Sequence, residues 1–524
     1  MIVLLCQELE TLGHGLDLGA VARWIEERAP GVEVRRARGP CRSPERWLDG
    51  AFSGTDRLVL GLCATTGQRH ELDARARKLG LDPFGLEVLN LGTSCALAHP
   101  RPQATEKAKL LLGAGLARAE AYAGSRPENA KPLLSWDGQV SRRSLLTLPP
   151  IRYEAVPSIQ EETCSARAGC RICAKACPPR ALGPSDEGLM VLNKAQCTGC
   201  GACVPLCPQA AINFPGASPS QVEAQIAALL NSPSVALHPR GILFHCGKGV
   251  PALEALARKG LSYPAGWLPV ELPCLGMVTP TWILEPLNLG AAAVGLLACP
   301  PTECRFGQRQ ILEGRADYCR ELLRTMGGSP DAVRILDITD EAGLARDLSS
   351  LRAPEVSAAP NPAGDVPLSG VRATAQAVLA LAERYEAPPD GSVAHPHSPL
   401  GVVEIRPGCT GCGACAFACP TRALTLDRDE EAVSLSFDAG LCVGCGECIP
   451  ACPEAVVRVE KVTDLQALSR GRRTLFRDSE VRCERCGAPV APRAMLDRIS
   501  AILGEDRAVP AIVKYCLTCR GTLV

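Results

Sequence analysis

Four short cysteine runs carry the chemistry of this sequence. They are Cys170-x2-Cys173-x3-Cys177-Pro178, Cys197-x2-Cys200-x2-Cys203-x3-Cys207-Pro208, Cys409-x2-Cys412-x2-Cys415-x3-Cys419-Pro420 and Cys442-x2-Cys445-x2-Cys448-x3-Cys452-Pro453. Thiolates at this spacing ligate paired [4Fe-4S] cubanes, the fourth cysteine of each run serving the other cluster of the pair. CTGCGAC occurs at 197–203 and again at 409–415, and CVGCGEC at 442–448. The repeat implies iron–sulfur binding and one-electron transfer. Structural or disulfide cysteines are the weaker alternative.

In the second pair, one cubane takes Cys409, Cys412, Cys415 and Cys452. The other takes Cys442, Cys445, Cys448 and Cys419. In the first pair, Cys197, Cys200, Cys203 and Cys177 form one quartet. The other lacks its first ligand, because Arg167 stands where a cysteine is expected. Cys164 is the nearest replacement, giving Cys164, Cys170, Cys173 and Cys207. A degraded or three-iron site is the alternative there. The loop glycines suit a chain that turns tightly and aims N–H groups at cluster sulfur.

The other cysteines also group in fours. Cys246, Cys274 and Cys299 each follow an apolar strand, and Cys304 lies five residues beyond Cys299. Ligands bind beyond the carboxyl ends of strands in open α/β sheets, so a four-thiolate site is expected. Cys6, Cys41, Cys63 and Cys95 repeat that arrangement. Buried structural cysteines are the competing reading for both sets. In the tail, Cys483-x2-Cys486 and Cys516-x2-Cys519 read as a zinc knuckle, with rubredoxin-type iron as the alternative. Of 29 cysteines only Cys319 is left over, as a core residue. The seven histidines form no metal motif, although His245 adjoins Cys246.

These ligands need scaffolds. Residues 1–125 alternate strand and helix, with strands at 2–5, VEVRRA, 57–62 and LEVLNL, and helices at 16–28, 71–80 and 105–123. That pattern predicts a small parallel-sheet α/β domain. A linker (126–160), a 2[4Fe-4S] ferredoxin module (161–217) and a second parallel-sheet α/β domain (219–350) follow. A second linker (351–398) around a helix at 371–386, a second 2[4Fe-4S] module (400–462) and a zinc-ribbon-like tail (463–524) complete a multidomain α/β and α+β chain. Gly113-Ala-Gly115 lies inside a helical pattern rather than after a strand, so it is no dinucleotide fingerprint.

Composition narrows the function. The 524 residues include 56 basic and 56 acidic side chains, a net charge of zero that removes the simplest case for nucleic-acid binding. No apolar run approaches the roughly 18 residues of a membrane span. The start, MIVLLCQELETLG, lacks the basic region of a signal peptide. Metal-type cysteine spacing predicts a cytoplasmic protein.

Two segments carry family resemblances. ELDARARKLGLDPFGLEVLNLGTSCALAHPRPQATEKAKLL (71–111), preceded by RLVLGLCA, resembles the N-terminal domain of the A-type subunit of heterodisulfide reductase. The resemblance implies a fifth [4Fe-4S] cluster on Cys6, Cys41, Cys63 and Cys95. GILFHCGKG through ECRFGQRQ (241–310) is similar to the delta subunit of methyl-viologen-reducing hydrogenase, which implies a [2Fe-2S] cluster on Cys246, Cys274, Cys299 and Cys304. The family's further cysteine, three residues after the first, is Gly249 here. The flavin domain that follows in the A-type heterodisulfide reductase subunit is absent, so neither FAD nor NAD(P)H is expected.

Together these readings predict an iron–sulfur electron-transfer subunit, with no catalytic acid, base or nucleophile of its own. Its partners would be a hydrogenase, a formate dehydrogenase or heterodisulfide-reductase-like subunits. The expected load is about 22 iron and one zinc. A stand-alone oxidoreductase with a non-covalent flavin and a redox-sensing regulator are the alternatives.

Overall fold

The computed structural model describes residues 1–41, 57–64, 69–126, 129–134, 151–232, 237–304, 306–352, 370–429, 431–504 and 509–521. Parts of the expected linkers at 126–160 and 351–398 lie outside these residues, as does the end of the tail.

Two four-stranded parallel sheets dominate, and they share one topology. In the N-terminal domain the order is Glu33–Ala37, Ile2–Cys6, Leu58–Leu62, Glu87–Asn90. In the middle domain it is Trp267–Glu271, Gly241–His245, Ala293–Ala298, Val333–Asp337. The central strands IVLLC, LVLGL, GILFH and AVGLLA are buried along their whole length. That is why they read as unbroken apolar runs: helices cover both faces. The helix Arg101–Glu120 presses on the first sheet through small residues. A Cβ on Gly115 would lie 3.0 Å from Leu89 and one on Gly113 2.9 Å from Trp24. The Gly-Ala-Gly run therefore serves close packing.

The edge strand Val333–Asp337 and the helix Glu341–Ser349 extend the middle domain past the predicted helix. The strand's half-exposed pattern, with Arg334 near its start, hid it from a search for apolar runs. The second linker also holds structure. Its helix, Ala373–Arg384, packs on Pro280–Asn288, where Asn288 Nδ2 donates to the Ala377 carbonyl at 3.1 Å. Within the first linker, Ala130–Leu134 pairs antiparallel with Ile151–Ala155.

Each ferredoxin module is tied by short antiparallel pairs: Ser158–Ile159 with Ile212–Asn213 in the first, Val402–Ile405 with Val457–Glu460 in the second. The tail is not a separate knuckle on a string. Its strand Arg472–Arg482 joins Ala432–Asp438 of the second module, so one sheet crosses the predicted boundary at 462/463. Arg118 locks three units together. It donates to Gln225 Oε1 at 2.6 Å and to the Gly216 carbonyl, and it faces Glu87 at 3.3 Å.

Candidate metal centres

The cysteine loops of the ferredoxin modules are built by backbone strain as much as by ligand spacing. The loop glycines take the left-handed conformation that a tight turn needs, with φ +65° at Gly411 and +78° at Gly413. Four non-glycine residues do the same: Arg180, Ala210, Arg422 and Ala455. Each stands three residues after the proline-flanked cysteine of its run. The strain serves the ligand. The next residue's N–H donates to the cysteine, Ala181 to Cys177 Sγ and Ala211 to Cys207 Sγ, both at 3.3 Å. Hydrogen bonds of this kind help set cluster potential. No sequence pattern marked these four residues. Their shared offset from Cys-Pro was the available signal.

The quartets close around space for a cofactor. Cys409, Cys412, Cys415 and Cys452 line one cavity, and Cys419, Cys442, Cys445 and Cys448 line a second. Cys164, Cys170, Cys173 and Cys207 line a third. Cys203 is held neutral chiefly by burial, then by the neighbouring thiols of Cys200, Cys173, Cys177 and Cys197. Burial likewise pushes Cys173, Cys442 and Cys448 up to about 12. Such groups become thiolates only when metal offsets their desolvation. None of the 29 cysteines is in a disulfide.

The middle-domain cysteines converge at the carboxyl edge of their sheet. Burial pushes Cys274 up to about 12, and the thiols of Cys200, Cys246 and Cys304 add to it. Burial raises Cys299 too, and the neighbouring thiol of Cys304 adds to it. The N–H groups of Gly276 and Gln308 donate to Cys274 and Cys304 at 3.3 and 3.4 Å. Cys319 lies fully buried in the core.

The quartets also stand in sequence in space. Cys274 shares one small buried cluster with Cys200 and Ala202, and the Cys200 thiol acts on it. Within the first module, Cys173 is among the thiols that act on Cys203. Between modules, Gln209 Nε2 donates to the Pro420 carbonyl at 2.7 Å, and Lys175 pairs with Glu447 at 2.6 Å. These residues sit inside or beside the runs of Cys207, Cys419, Cys173 and Cys445. Burial raises Cys170, with Cys445 among the neighbouring thiols that add to it. Within the second module, Cys415 likewise acts on Cys448.

The remaining thiols differ. In the tail, Cys483, Cys486, Cys516 and Cys519 bring all four Sγ atoms within 4.8 Å of one another. In the N-terminal domain Cys6, Cys41 and Cys63 meet just as closely, but Cys95 is not among them. It sits in the helical turn Gly92–Ala96 after the fourth strand and is fully buried.

Comparison with known proteins agrees with this geometry. Residues 164–212 and 408–456 each match the 4Fe-4S dicluster domain, and 242–351 match the methyl-viologen-reducing hydrogenase delta subunit. The vhu iron-sulfur subunit of the F420-non-reducing hydrogenase of Methanococcus voltae is 30% identical over 95 residues, 18% of this chain and 69% of that protein. The A-type subunit of the ferredoxin:CoB-CoM heterodisulfide reductase of Methanosarcina acetivorans is 31% identical over 125 residues, 22% of this chain. The chain spans 15% of the length of that reductase subunit. ArrB, the iron-sulfur subunit of the arsenate respiratory reductase of a Shewanella strain, is 32% identical over 73 residues, 14% of this chain and 29% of its own length.

Two dicluster domains beside parallel-sheet α/β units define an iron–sulfur electron-transfer protein that carries [4Fe-4S] clusters. Through its middle domain, the chain belongs to the methyl-viologen-reducing hydrogenase delta-subunit family. No helix among the described residues is long and apolar enough to cross a membrane.

Cys164 gives a direct test of its quartet. Cys164→Ser is expected to convert one cubane to a three-iron form and leave the others intact, because the five-residue loop to Cys170 tethers this ligand loosely. EPR of the oxidised protein reads the change. A spectrum and iron content equal to wild type would remove Cys164 from the ligand set.

Proposed function

We propose that the chain is a linear relay. Electrons pass between a [2Fe-2S] centre on Cys246, Cys274, Cys299 and Cys304 and a terminal cubane on Cys409, Cys412, Cys415 and Cys452. Between them lie, in order, the cubanes of Cys177, Cys197, Cys200 and Cys203, of Cys164, Cys170, Cys173 and Cys207, and of Cys419, Cys442, Cys445 and Cys448. The observation that carries this reading is the buried cluster that Cys274 shares with Cys200, together with the Gln209–Pro420 bond between modules. Each bound cluster supplies a one-electron site. The chain supplies thiolates, N–H···S bonds and burial, and no proton-transfer group is required.

The far end of the relay is open. Cys412 is exposed, and Phe417, two residues before Cys419, is 84% exposed. Such a face suits brief contact with a protein redox partner. The relatives' names favour a partner from a hydrogenase or a heterodisulfide-reductase-like complex, with formate dehydrogenase as another source of electrons. The free cysteines favour a reducing, cytoplasmic compartment. The tail quartet is read as a zinc site. Cys486 and Cys516 Sγ lie 3.7 Å apart, against about 3.8 Å for tetrahedral thiolates on zinc at ~2.3 Å.

Gly201 tests the contact between the first two centres. It has φ +69°, and a Cβ there would fall 2.6 Å from Met277 Sδ, just beyond Cys274. Gly201→Ala is expected to cost about 1–3 kcal/mol through left-handed strain and overpacking. It should also slow electron exchange between the middle domain and the first module, read by rapid-mixing absorbance. Unchanged stability and rate would count against the packed junction.

A further inference from the structure

Residues of two edge strands, one from each parallel sheet, line a single cavity of about 670 Å³. Glu87–Asn90 belongs to the first sheet, and Pro269 and Glu271 to the strand Trp267–Glu271 of the second. The first turns of the helix Gly249–Arg258 add Val250 and Leu253. A cavity of this size suits a cofactor-sized organic molecule. It also reaches the middle-domain cysteines. His245 and Gly247, on either side of Cys246, and Pro273, just before Cys274, stand on its wall.

Two polar groups on that wall lack partners. The Thr93 N–H donates to Asn90 Oδ1 at 3.0 Å, which fixes the amide. The other end of the amide, Asn90 Nδ2, is buried and finds no hydrogen-bond partner among the described residues. The same holds for the Thr93 hydroxyl, and Thr93 is only 3% exposed. Buried groups left unpaired are costly, so these two call for a partner from outside the chain. Asn90 Nδ2 can only donate and the Thr93 hydroxyl can donate as well, so that partner must bring an acceptor.

Charge narrows the class. Arg118 is the only lysine or arginine on the wall, and it is already engaged. It donates to Gln225 Oε1 and to the Gly216 and Glu271 carbonyls, with its Nε 3.3 Å from Glu87. An anion would meet the carboxylates of Glu87 and Glu271 with no uncommitted cation to offset them. Leu89, Leu111 and Leu272 give the wall its apolar share.

We propose that this cavity binds an uncharged, carbonyl-bearing organic molecule, whose acceptor oxygen takes hydrogen bonds from Asn90 and Thr93. The ligand then lies beside the middle-domain cysteines. The site rests on the cavity and needs neither the relay nor a metal.

The test is equilibrium dialysis of the oxidised, anaerobically purified full chain. The probe is 2,3-dimethyl-1,4-naphthoquinone, an uncharged dicarbonyl compound with both ring positions that thiols attack blocked. Saturable binding of one molecule per chain is expected. Asn90→Ala and Thr93→Val should each weaken it about tenfold. Val250→Trp, at a half-buried wall position, should abolish it with the iron content unchanged. Anthraquinone-2-sulfonate, which carries a negative charge, should bind at least about tenfold more weakly. No saturable binding of the naphthoquinone, wild-type affinity in both Asn90→Ala and Val250→Trp, or tighter binding of the sulfonate would each overturn the proposal. None of these outcomes bears on the relay, which is read from electron transfer.

Discussion

Cys442→Ala/Cys445→Ala is expected to divide the relay into two stretches that no longer exchange electrons. These residues belong to the quartet that faces the first module. The Lys175–Glu447 pair and the Gln209–Pro420 bond hold that junction. Without this cubane, the neighbouring centres are left one cluster apart. The iron content should fall by about four. The middle-domain centre and the first module should still be reduced by a donor acting there, while the terminal cubane stays oxidised. Stopped-flow absorbance and EPR of frozen samples read both halves. Reduction of the terminal cubane at the wild-type rate would mean that electrons bypass this junction.

Removal of the proposed tail zinc should have the second largest effect, and a local one. Structural zinc in small four-ligand sites contributes about 10–16 kcal/mol of apparent binding free energy, which is folding free energy. A strong chelator is therefore expected to unfold residues 483–521, as greatly increased amide hydrogen exchange. The strand Arg472–Arg482 should survive, because it pairs with Ala432–Asp438 in the module's own sheet. The terminal cubane should also suffer. Phe476 and Pro492 cover its loop, within 3.0 and 3.1 Å of where a Gly411 Cβ would stand. Loosening that cover should speed bleaching of this cluster in air, while the other cubanes keep their stability. Unchanged exchange over 483–521 would mean that the tail does not depend on its metal.

The ligands of the ferredoxin modules were legible because spacing alone constrains them. A cubane fixes the distance between thiolates, and only short loops can deliver three of them. The two sheets were legible for another reason: central parallel strands buried on both faces cannot carry polar residues, so IVLL, GILFH and AVGLLA stand out. What escaped detection lies where those constraints lapse. Val333–Asp337 is an edge strand, and Arg472–Arg482 is a charged, largely exposed one; neither needs apolar continuity. The left-handed residues Arg180, Ala210, Arg422 and Ala455 are ordinary side chains in a conformation that composition does not report.

The proposed relay requires that successive centres adjoin from the middle domain to the second module. The most direct measurement is EPR of the anaerobic full chain during stepwise reduction, with the middle-domain signal followed in wild type and in Cys200→Ser. The relay predicts that, in the wild type, this signal broadens and relaxes faster once the Cys177, Cys197, Cys200 and Cys203 cubane is reduced, and that the effect weakens or vanishes in the variant. A middle-domain signal that stays narrow and slowly relaxing at every stage of reduction, in both proteins, would contradict it.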